Sequence, residues 1–159
     1  MADAEDVVTT TRTNRPSGRQ EHLDPGIRRI YALLVGLTTL SVLIQAVTAG
    51  EFVNQDGKRP EWWTEIHGFI AYPVMLLALA TAVFAFAKMR TTVPRLWLWT
   101  ALLFVATVCQ WLSGHAITTL GMDWVIPIHV VLAFLIWGLA MVLSVRSATL
   151  RRVADTVGV

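Results

Sequence analysis

The chain is poor in charge: 15% of its 159 residues are Asp, Glu, Lys or Arg. Soluble domains carry nearer a quarter. A net charge of +2, with no basic patch interleaved with aromatics, argues against a nucleic-acid partner. A single cysteine, Cys109, excludes an intramolecular disulfide and leaves the redox compartment unspecified. The first 26 residues lack the apolar core and cleavage site of a signal peptide. They are polar, and are expected to form a disordered cytoplasmic tail in which His22 is solvated.

What the chain does have is apolar length. Hydrophobic residues make up 55%, and they gather in four runs. The runs cover about 30–49, 66–87, 96–112 and 124–145. About 20 residues at 1.5 Å rise span a ~30 Å hydrocarbon core. The expected fold is therefore an all-α integral membrane protein, an up-down-up-down bundle of four transmembrane helices. The bundle is expected over 27–148, with 149–159 as a second cytoplasmic tail. Pro73 lies early in the second run and is expected to bend it.

Orientation follows from the basic residues. Arg12, Arg15, Arg19, Arg28 and Arg29 precede the first run. Lys88, Arg90 and Arg95 separate the second and third, and Arg146, Arg151 and Arg152 follow the fourth. Of the 13 basic residues, only Lys58 and Arg59 fall in the other two connections. Both termini should be cytoplasmic, with the connections after the first and third runs outside. A multi-pass protein of a bacterial plasma membrane is expected, with the lipid bilayer as its surroundings.

Two histidines then stand out. Trp62 and Trp63 mark the boundary of the second run and His67 lies just inside it. Trp124 marks the fourth run and His129 follows. Both runs enter from the outer side, so both imidazoles should lie at similar depth. The halves repeat in other ways. The first run ends Gln45-Ala46-Val47-Thr48-Ala49-Gly50 and the third ends Gln110-Trp111-Leu112-Ser113-Gly114. Each half reads as helix, Gln, hydroxyl, Gly, outer loop, Trp, and helix with an early His. Two pseudo-repeated helical hairpins about an axis along the membrane normal are expected.

Ionisable residues within the membrane mark functional sites by default. A zinc site usually takes four ligands, and no second pair of Cys, His or carboxylate accompanies the histidines. Haem iron needs two axial groups and an apolar slot. His67 and His129 are the candidate iron ligands. Ala71 or Ile70, Val74 and Ala78 lie below His67, and Ala133, Ile136 and Ala140 below His129, as candidate walls. Gln45 and Gln110 are candidates to hydrogen-bond the ligand histidines; interhelical contact is their other reading. His115, placed in the outer loop of 113–123, is a candidate contact for haem propionates. Glu65, beside His67, is a candidate proton acceptor.

The stretches Gln45 through Gly50, Glu65-Ile66-His67, Gln110 through Gly114 and Ile128 through Ala133 resemble one half of the haem A synthase family. That resemblance covers most of 30–145. It implies a four-helix bundle with a b-type haem held by His67 and His129 near the outer face. The chain departs from the family in four ways. Gly68 stands where an arginine usually follows the first histidine. Thr64 stands where a glutamate is common, with Glu65 one place on. The first outer loop has no paired cysteines, and the chain has half the family's helices.

Three functions remain open. The first is a small membrane cytochrome binding haem b through two histidines, with quinol or a membrane redox partner at its outer face. The second is a non-enzymatic accessory subunit of a membrane complex without a cofactor. The third is a haem-modifying enzyme acting as a homodimer.

Overall fold

The computed structural model describes residues 23–51 and 61–157. The tail reading of 1–22, with His22, and most of the first outer loop lie outside those residues.

Four long helices run in chain order: α1 (Pro25–Gly50), α2 (Glu61–Met89), α3 (Leu96–Leu120) and α4 (Ile126–Val157). A single 3-10 turn, Asp123–Val125, precedes α4. All four are long and apolar enough to cross a membrane. The chain is a multi-pass bundle, as its composition requires.

Local chemistry sets the ends. Asp24 caps α1, accepting a hydrogen bond from the Gly26 amide at 2.6 Å, and Pro25 occupies the first helical position. Gly121 ends α3 with φ 65, a conformation that costs other residues more. The Met122 amide then closes on the Ala116 carbonyl at 3.1 Å. Between α2 and α3 the chain turns tightly, with Arg95 at φ 74. α2 continues through Pro73 as one helix. α3 is longer than its apolar run and absorbs residues 113–120, so His115 lies on a helix and not in a loop. The apolar run understates α3 because Ser113, Gly114, Thr118 and Thr119 lower its hydropathy without interrupting its backbone ladder.

The helices form a ring in which α1 packs on α2, α2 on α3, α3 on α4 and α4 on α1. The diagonal pairs, α1 with α3 and α2 with α4, keep their Cα atoms more than 8 Å apart among the described residues. Inward positions recur at three- and four-residue steps. They are Tyr31, Val35, Thr38 and Val42 on α1, and Val74, Ala78, Thr81 and Ala85 on α2. On α3 they are Leu96, Thr100, Leu103 and Thr107, and on α4 Ile136, Ala140, Leu143 and Ser147. Ala78 and Ala140 are fully buried, so close helix approach supplies the contact that bulk would supply elsewhere. Thr38 and Thr81 share a hydrogen bond across α1 and α2 at 3.2 Å, and Thr39 and Ser144 another across α1 and α4 at 2.9 Å. Large apolar side chains face outward, Phe69 at 73% exposure and Phe134 at 71%. In water such a surface would aggregate; in lipid it is solvated.

The bundle's two ends differ. Fully buried side chains such as Tyr31, Met89, Leu103 and Leu143 lie in its middle and toward the end that carries Arg28, Arg29, Arg90 and Arg151. Among the described residues none lies at the opposite end, where the histidines are.

Candidate functional site: two histidine–glutamine–hydroxyl units

Continuing each inward seam by seven residues reaches the polar groups. Gln45 follows Thr38, and Gln110 follows Leu103. His67 precedes Val74, and His129 precedes Ile136. All four therefore lie on core-facing seams at one end of the bundle, half-buried. The histidines belong to the diagonal helices α2 and α4.

In the first unit, α1 holds the α2 imidazole from both sides. Gln45 Nε2 lies 3.1 Å from His67 Nε2 and donates to the His67 carbonyl at 2.9 Å. Thr48 Oγ1 lies 3.0 Å from His67 Nδ1 and donates to the Gln45 carbonyl at 2.9 Å. In the second unit α3 holds the α4 imidazole. Gln110 Nε2 lies 2.9 Å from His129 Nε2. Ser113 Oγ lies 2.8 Å from His129 Nδ1 and donates to the Gln110 carbonyl at 2.8 Å.

This pattern matches one tautomer. Each hydroxyl has one proton, and it goes to the glutamine carbonyl. The hydroxyl oxygen must then accept from the imidazole, placing the ring proton on Nδ1. Each carboxamide nitrogen is a donor, so Nε2 presents its lone pair. With the carboxamide nitrogens and hydroxyl protons placed in this way, the arrangement corresponds to neutral Nδ1–H tautomers with each Nε2 electron pair directed at a glutamine amide.

The two units are superimposable in sequence logic. The hydroxyl follows its glutamine by three residues in both. The glutamine-to-histidine separation is 22 in one and 19 in the other, and the hydroxyl-to-histidine separation is 19 and 16. Both pairings shorten by the same amount, so the hairpins differ in the loop and keep their helix register.

In each unit one polar atom lacks a hydrogen-bond partner among the described residues. Gln45 Oε1 and Gln110 Oε1 are both buried without a hydrogen bond. A buried acceptor left unpaired costs about 1–3 kcal/mol, and here the same atom is orphaned in both units. Gly114 adds a close approach: a Cβ there would lie 3.2 Å from His129 Cε1. At Gly68 the same atom would meet nothing within 4 Å.

Among the described residues no group of three or more His, Cys, Asp or Glu could hold a metal ion. Below the imidazoles the seam residues are Val74 and Ile136, both buried. Ala71 is half-buried. Ala133 is exposed, and Leu132 takes the inward place beneath His129.

His115 is not brought to the pair. Five residues beyond Gln110, it points about 140° away around α3. It is exposed, stacks on Trp111 at 5.6 Å between ring centroids, and its Nδ1 lies 3.3 Å from Thr119 Oγ1. Glu65 is exposed.

Thr48 and Ser113 carry a role that residue type alone did not assign. Their signal was the shared three-residue offset from each glutamine. Comparison of the chain with protein-family models, with curated proteins and with solved structures finds no match.

Proposed function

We propose that the bundle binds one haem b, with His67 and His129 as its two axial ligands. The observation that carries this is the paired, hydroxyl-fixed Nε2 lone pair on diagonal helices. Thr48 and Ser113 perform the supporting role that metal-ligating histidines require at the second ring nitrogen. Gln45 and Gln110 stand on the ligating atom itself, so each must turn aside to admit iron. For Gln45 the displacement removes one hydrogen bond of two, since its bond to the His67 carbonyl does not depend on the ring. Such a bond within a membrane contributes about 0.6 kcal/mol, small beside metal coordination. The freed amide and the orphaned Oε1 atoms then line the bound group.

With both axial positions taken by protein, haem supplies one-electron transfer and has no open position for oxygen. The bias of basic residues puts the arginine end and both termini in the cytoplasm and the histidine units near the outer face of a bacterial plasma membrane. A quinol or a membrane redox partner at that face would exchange the electron.

One observation favours the second reading, a cofactor-free accessory subunit: all four ring nitrogens already have partners. In that case the units are interhelical fasteners, one per hairpin. Haem titration of the full-length protein purified in mild detergent separates the readings. Saturation at one haem per chain, with a sharp Soret band and resolved α and β bands on reduction, supports haem ligation. A featureless spectrum with free-haem absorbance only supports the fastener.

A further inference from the structure

At the arginine end a groove opens on the outward side of α1, with a volume of about 450 Å³. Ala32, Leu33, Gly36, Leu37 and Leu40 line it, and Arg29 and Arg151 stand at its mouth. We infer that this groove is a binding site for an anionic phospholipid, with the phosphate between Arg29 and Arg151 and an acyl chain along Gly36. The inference rests on the membrane-spanning fold and is independent of haem.

Four features point to that ligand. The groove is amphipathic along its length, cationic at the mouth and apolar below. From Arg29 to Leu40 it runs about 16 Å at 1.5 Å per residue. That is the depth of one leaflet of a ~30 Å hydrocarbon core. The groove is open at Gly36, where a Cβ would meet nothing within 4 Å.

The mouth is also held in place. Arg28 donates from Nη1 to the Leu150 carbonyl at 3.2 Å and from Nε to the Leu23 carbonyl at 2.9 Å. This ties the start of α1 to α4 one residue from each groove arginine. Arg29 and Arg151 are themselves exposed, and neither has a carboxylate or hydrogen-bond partner among the described residues. Two cations are thus presented on a fixed seam with no counter-charge among the described side chains, at the level where lipid phosphates lie. Zwitterionic lipids offer the phosphate but cancel its charge with an ammonium. The pair therefore selects for net negative headgroups.

The test is native mass spectrometry of the full-length chain in mild detergent, titrated with phosphatidylglycerol or with phosphatidylcholine of the same acyl chains. An arginine at the anionic membrane surface is worth about fivefold, so the pair should favour phosphatidylglycerol by about thirtyfold. R29Q/R151Q should bring the two lipids to parity. R90Q/R95Q removes the same charge from the same end on the far side of the bundle and should retain the preference. Gly36→Leu should weaken both lipids. Glycerol 3-phosphate at the lipid's concentration should not compete. Parity in the unmodified protein would overturn the inference. So would equal losses in the two double variants, unchanged binding in Gly36→Leu, or displacement by glycerol 3-phosphate alone.

Discussion

Thr48→Val is the most informative single change in the histidine units. Valine nearly matches threonine in shape but has no oxygen. Thr48 is 6% exposed, so water does not readily replace the lost group. His67 Nδ1 loses a partner at 3.0 Å, and the Gln45 carbonyl loses its hydroxyl donor at 2.9 Å. The Nδ1–H tautomer is then no longer enforced. The imidazole gains by placing its proton on Nε2, where a turned carboxamide offers the now orphaned Gln45 Oε1. A ring in that tautomer has no electron pair at Nε2 for iron. Loss of such a supporting group typically lowers metal affinity 10- to 100-fold, or about 1.4–2.7 kcal/mol. Ser113→Ala should act on His129 to at least the same extent, because its contact is shorter, 2.8 Å against 3.0 Å. Gln45→Leu and Gln110→Leu remove the group that competes with iron, so they should leave haem affinity within a few-fold of the parent or raise it. Haem titration followed at the Soret band measures all four. If Thr48→Val and Ser113→Ala bind haem like the parent while the glutamine variants lose it, the tautomer assignment is wrong and the carboxamides are the essential partners.

Other expectations concern the frame around these units. Gly114→Ala brings a methyl to 3.2 Å from His129 Cε1, and should weaken haem binding several-fold, whereas Gly68→Ala meets open space and should not; the same titration compares them. Thr38→Val and Thr81→Val should show a coupling of about 0.6 kcal/mol in a double-mutant cycle of unfolding in detergent, and strict additivity would show that their 3.2 Å contact is not a stabilising bond. In a Cys109→Ala background, Asp123→Cys should react with an impermeant maleimide from outside intact cells and Arg90→Cys should not; the reverse result would invert the proposed orientation.

Much of the architecture was legible in residue order, because bilayer thickness fixes helix length and charge marks the connections. The pairing of Gln45 with His67 and of Gln110 with His129 was visible as a repeat. Two things were not. Helix ends were misjudged at α3, where hydropathy falls at Ser113 while the backbone continues, and this carried His115 from a loop to an exposed helical face. The division of labour within each unit was also hidden. Spacing shows that a glutamine and a hydroxyl can reach the same imidazole, but not which ring nitrogen each takes. That depends on the angle at which α1 meets α2 and α3 meets α4. The arginine groove had no sequence signature either, since Arg29 and Arg151 come together only when α4 closes the ring against α1.

The most direct test of bis-histidine haem ligation is the reduced visible spectrum of His67→Ala, His129→Ala and the double variant, beside His115→Ala. If the proposed ligation holds, each single alanine removes one of two protein–iron bonds. Both singles should lose the low-spin α and β bands, and the double should be little worse, because the two ligands act as one unit. His115→Ala should keep the parent spectrum. Low-spin bands that survive in either single histidine variant, or that vanish in His115→Ala, would contradict a haem shared by His67 and His129.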